Sequence, residues 1–128
     1  MDTADHITFT WRGKTVRVAS ERRGSGPTIL MLPALNSIST RGEMPPLQER
    51  LSSAFTTVTC DWPGFGDEAR PAMAWQPDAY RAFLAYVLTT LVRSPFATVA
   101  AGHGTSYLLA HAAEAPGSAG RLCLVAPT

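Results

Sequence analysis

Four short runs in this chain are apolar or weakly polar at every position: Thr28-Ile29-Leu30-Met31-Leu32, Thr57-Val58-Thr59-Cys60, Ala97-Thr98-Val99-Ala100-Ala101 and Leu122-Cys123-Leu124-Val125-Ala126. A strand with one wet face alternates apolar and polar residues. These runs do not alternate, so each is expected to be a strand covered on both faces. Sheets of that kind are built from parallel strands joined by crossover helices, which the segments between the runs should supply.

The helical patterns are there. Residues 46 to 54 read as a short helix opened by Pro45-Pro46, with Leu47, Leu51 and Ala54 on one face. Asp78 stands as an N-cap before Tyr80, Phe83, Leu84, Val87, Leu88 and Leu91, which share one stripe at i, i+3, i+4, i+7 spacing. From Thr105 to Ala115, Tyr107, Leu108, Leu109, Ala110, Ala112 and Ala113 cover most of the circumference, which predicts a buried helix ended by Pro116-Gly117. Ahead of all this, Ile7, Phe9 and Trp11 alternate with polar residues, Arg12-Gly13-Lys14 turns the chain, and Val16 and Val18 alternate again, as in an antiparallel hairpin. The expected fold class is α/β: a mostly parallel sheet, helices on both faces and an antiparallel N-terminal hairpin, in one domain over residues 1–128.

Composition narrows the function. Hydrophobic residues make up 45% of the 128 and charged residues 16%, which sets the chain apart from disordered sequences. A net charge of +1 with scattered Lys and Arg provides no stripe for nucleic acid. Arg22-Arg23 beside Gly24-Ser25-Gly26-Pro27 read as a solvated turn. No apolar run approaches the ~18 residues of a membrane span, and Met1 to Asp5 carry no apolar leader, so a soluble cytoplasmic protein is the expectation. Cys60 and Cys123 each sit in an apolar run, where free cysteine is commonly buried; both are expected to be unpaired.

Between the third apolar run and the helix that follows stands Gly102-His103-Gly104-Thr105-Ser106. A strand, a sharp turn and a buried helix is the setting of a nucleophile elbow, G-x-S-x-G, in which small flanking residues let the turn pack and the helix N-terminus favours negative charge. Two further segments agree: Asp61-Trp62-Pro63-Gly64-Phe65-Gly66-Asp67 after the second run, and Leu30-Met31-Leu32-Pro33-Ala34-Leu35-Asn36-Ser37 at the end of the first. Together they make the chain resemble the N-terminal part of the α/β-hydrolase superfamily, from its hairpin to its sixth strand. The resemblance implies a strand order of 1-2-4-3-5-6 and places Gly104 at the elbow apex, where the family has its serine. It also assigns the oxyanion-hole N–H groups to Leu35 and Thr105, with Pro33 and Ala34 replacing the family's His and Gly.

Gly104 has no atom that could attack a carbonyl, and a glycine apex avoids the strain of positive φ. Ser106, two residues on and inside the first helical turn, is a weak candidate nucleophile and reads as a local hydrogen-bonder. His6, His103 and His111 all lie away from a late loop where the family keeps its base, and the family's acid and histidine fall beyond the sixth strand. Asp61, Asp67 and Glu68 read as loop and capping acids rather than metal ligands. No metal or cofactor is expected.

Three functions follow. The first is a hydrolase-like protein without a competent triad that binds a small acyl or aromatic compound. The second is a fragment or nucleophile variant of an active ester or amide hydrolase. The third is an interaction module completed by a second copy or a C-terminal fragment through the last strand, whose edge carries no charge or proline over Leu122–Ala126.

Overall fold

The computed structural model describes residues 3–34, 44–63 and 77–125. Strands β1 (Thr3–Trp11) and β2 (Lys14–Gly24) form the hairpin. Its turn is Arg12-Gly13, with φ of 48° and 78°. Two left-handed residues make a type I′ connection, whose twist matches that of the strands it joins.

The unbroken apolar runs become β3 (Thr28–Leu32), β4 (Thr56–Cys60), β5 (Ala97–Ala101) and β6 (Arg121–Val125). The six strands form one sheet in the order β1-β2-β4-β3-β5-β6. Pairing is antiparallel from β1 through β2 to β4 and parallel from β4 through β3 and β5 to β6. The order implied by the family resemblance is therefore the one observed.

Because side chains alternate across a strand, the central strands feed two cores. Leu30, Leu32, Val58, Cys60 and Ala100 meet Tyr80, Phe83 and Leu84 of α2 (Pro77–Tyr86) and Tyr107 and Leu108 of α3 (Gly104–Glu114). On the opposite face, Ile29, Met31 and Val99 pack with Met44, at the start of α1 (Pro45–Leu51). Helices thus cover both faces, one against two.

The structure corrects several local expectations. In α1, Leu47 is exposed and Gln48 is fully buried, its Nε2 donating to Thr57 Oγ1 at 3.2 Å. The sheet-facing row is Met44, Gln48 and Leu51, at i, i+4 and i+7, and the helix ends before Ala54. α2 runs on into a π-helical extension, Val87–Leu91, closed by the Val92 N–H donating to the Val87 carbonyl at 2.7 Å; it keeps Val87 and Leu88 of the stripe buried, but Leu91 is 39% exposed. α3 buries Gly104, Thr105, Tyr107 and Leu108 and leaves Leu109 46% exposed, because α2 and the sheet meet only one side of it.

Strand β6 departs furthest from its apolar look. Among the described residues it pairs with β5 on one side, and Leu122, Cys123 and Val125 are exposed. Cys60 is buried, and burial together with neighbouring Asp61 pushes its thiol up to about 12, far from a reactive thiolate. Cys123, expected to be buried, is exposed. Both are free thiols, held on β4 and β6 with β3 and β5 between them. Among the described residues, no helix is long and apolar enough to cross a membrane.

Candidate functional site at the turn between β5 and α3

β5 ends at Ala101, and α3 begins at Gly104. The left-handed residue between them is Gly102, with φ of 54°, while His103 has helical φ and ψ of −69° and −18°. Gly104 is the first residue of the helix and is not left-handed. Gly104, expected at the apex, is thus the first residue of the helix, and the left-handed residue stands two positions earlier, at Gly102. The sequence allows both registers, because Ala100-Ala101-Gly102-His103-Gly104 also has small residues two positions either side of its centre.

Hydrogen bonds fix the turn. Thr105 donates to the Gly102 carbonyl twice, from its backbone N–H at 3.2 Å and from Oγ1 at 2.8 Å. The N–H expected to serve an oxyanion here closes the turn. Gly102 in turn donates its N–H to the Val125 carbonyl of β6 at 2.9 Å. Ser106 is exposed in the first turn of α3, its N–H donating to the His103 carbonyl at 3.2 Å, and it stands four residues past the left-handed position. Leu35, Asp67 and Glu68 lie outside the described residues.

The end of β3 closes over this turn. A Cβ built on Gly102 would stand 2.9 Å from the Ala34 methyl carbon, closer than real Cβ contacts come. At Gly104 a Cβ would meet the Pro33 carbonyl oxygen and Trp62 Cζ2, both at 3.2 Å. Trp62 is 1% exposed and donates from Nε1 to that Pro33 carbonyl at 2.8 Å. Its ring lies 6.2 Å from Tyr80, 6.0 Å from Phe83 and 5.8 Å from Tyr107. One indole therefore ties the ends of β3 and β4 to α2 and α3. The sequence offered it only as part of a loop motif, and a tryptophan directly after a buried strand was the available signal.

The histidines stay apart. His103 is exposed beside the turn with its ring edge-on to Tyr107 at 5.8 Å, His6 is exposed on β1, and His111 lies on α3. Among the described residues, no group of three or more His, Cys, Asp or Glu could hold a metal ion. What the turn presents is backbone: a strand-to-helix corner with a helix N-terminus behind it and no side-chain atom at its left-handed residue.

No protein-family model and no curated protein matches the chain. Solved structures do. Cfl2 from Burkholderia cenocepacia is 27% identical with a TM-score of 0.77, covering 97% of this chain and 42% of that one. An α/β hydrolase from Sphaerobacter thermophilus is 27% identical with a TM-score of 0.73, covering 92% and 44%. A Pseudomonas aeruginosa protein described as a probable hydrolytic enzyme is 21% identical with a TM-score of 0.82, covering 98% and 41%. The chain has the α/β-hydrolase fold, in its N-terminal part. It spans about two fifths of the length of these proteins.

Proposed function

We propose that this chain is a hydrolase-like binding domain without hydrolytic turnover of its own, in which Gly102 takes the nucleophile's place and His103 supplies the backbone N–H that follows it. One observation carries the reading: the left-handed residue between β5 and α3 is a glycine, and the Ala34 methyl group fills the space a side chain there would need. A small acyl or aromatic compound held at the carboxyl ends of the parallel strands fits such a corner, since this is where open α/β sheets place their ligands. The alternative is a fragment or nucleophile variant of an active hydrolase with its serine at position 104, where a Cβ would meet the Pro33 carbonyl oxygen and Trp62 Cζ2 at a tight 3.2 Å. A cytoplasmic location accords with two free thiols.

The test is turnover of short p-nitrophenyl esters. The expected rate equals the buffer blank. Steady hydrolysis that Ser106→Ala abolishes would overturn the proposal and return the chemistry to the helix.

A second reading, in which the chain pairs with its own copy through β6, is favoured by the place of β6 at the end of the sheet order among the described residues. Antiparallel pairing about a two-fold axis at Cys123 sets Arg121 opposite the partner's Val125, so no like charges meet, and Cys123 faces its own copy. Sedimentation at micromolar concentration should then show a dimer that Cys123→Lys disrupts by opposing two ammonium groups. A monomer at all concentrations would dismiss the pairing.

A further inference from the structure

A cavity of about 300 Å³ lies on the α2 side of the sheet, and none of Pro33, Ala34, Trp62, Gly102 or Gly104 lines it. Its floor is the middle of the sheet: Leu30, Val58 and Cys60. Its wall is the π-helical end of α2, through Val87 and Leu91, followed by Val92. Helices widen to i→i+5 bonding rarely, and such segments gather at functional sites.

The mouth is polar and carries positive charge. Arg22 is exposed and stands opposite Val58 in the β2–β4 register, which puts its side chain on the same sheet face as the floor. His6 also borders the mouth. Glu21 and Arg23, paired at 3.3 Å through Arg23 Nη2, stand opposite Thr59 and Thr57, which puts both side chains on the other face of the sheet. An apolar pit with a guanidinium at its rim suits a molecule with a short hydrocarbon tail and one negative charge. The volume lies at the lower end of the roughly 300–1,000 Å³ typical of small-molecule sites.

We infer that this cavity is a binding site for a medium-chain aliphatic carboxylate, tail on Leu30 and Val58 and carboxylate at Arg22, separate from the turn at Gly102 and independent of the function proposed for it. Octanoate is the probe, with 1-octanol as the uncharged tail and acetate as the tailless anion, followed by the NMR shifts of Leu30, Val58 and Val87. Octanoate should shift all three saturably, and acetate should shift none. Arg22→Gln, at an exposed position that leaves the fold in place, should weaken octanoate roughly fivefold, the worth of a part-exposed ion pair, and leave 1-octanol unchanged. Three results would each overturn the inference: octanoate without saturable shifts at the floor, octanoate no tighter than 1-octanol on the unaltered protein, or equal octanoate affinity before and after Arg22→Gln.

Discussion

A serine placed at position 102 is expected to lower the stability of the protein by about 3 kcal/mol and to create no esterase. Two costs add. A left-handed backbone costs a residue with a Cβ roughly 1–2 kcal/mol. Forcing that atom to 2.9 Å from the Ala34 methyl carbon is an overpacking contact, typically worth about 1–3 kcal/mol. The two can be separated in urea denaturation, because Ala34→Gly removes the contact and leaves the φ cost. The double variant should recover about 1–2 kcal/mol relative to Gly102→Ser, a coupling visible in a double-mutant cycle. If Gly102→Ser proved as stable as the parent, residue 102 would not be the left-handed position. Esterase activity in the double variant would overturn the expectation of no turnover.

Trp62→Ala should be the most damaging single change, costing about 4 kcal/mol or more. The indole is nearly fully buried and touches three aromatic rings, and removing such a side chain typically costs roughly 3–5 kcal/mol. It also orphans the Pro33 carbonyl. Trp62→Phe isolates that second term: the ring largely stays, the donor goes, and a loss of about 1–3 kcal/mol is expected. Thermal or urea unfolding measures both. A Trp62→Phe variant as costly as Trp62→Ala would mean that the hydrogen bond, not the packing, holds the corner; a cost under about 1 kcal/mol for Trp62→Ala would dismiss the packing described.

Period and punctuation made most of the fold legible. The hairpin could be read because alternation flanks Arg12-Gly13, and the central strands because Leu30-Met31-Leu32 has no polar member to turn outward. The strand order came from the family resemblance, since apolar runs alone do not say which neighbours pair.

What failed did so for local reasons. Leu47 and Gln48 are adjacent on α1, and a one-residue rotation decides which faces the sheet; hydrophobicity pointed to Leu47, whereas the buried hydroxyl of Thr57 gives the Gln48 amide a partner. β6 is as apolar as the central strands and read as covered on both faces, but burial depends on what packs against a strand, and Leu122, Cys123 and Val125 are exposed. At the site, two glycines two positions apart both have small residues two positions to either side, and backbone angles distinguish them, since only Gly102 is left-handed. The π-helical end of α2 left no mark on the apolar stripe, which fits an ordinary helix through Leu91.

The hydrogen bond from Gly102 to the Val125 carbonyl makes the edge strand and the corner one cooperative unit. Local opening of β6 at Val125 would therefore release one anchor of the turn. A second copy paired with β6, as the second reading proposes, would suppress that opening and stiffen the corner. By linkage, a molecule that binds only the ordered corner draws the edge into order to the same extent, so occupancy at one is communicated to the other without any change in average shape.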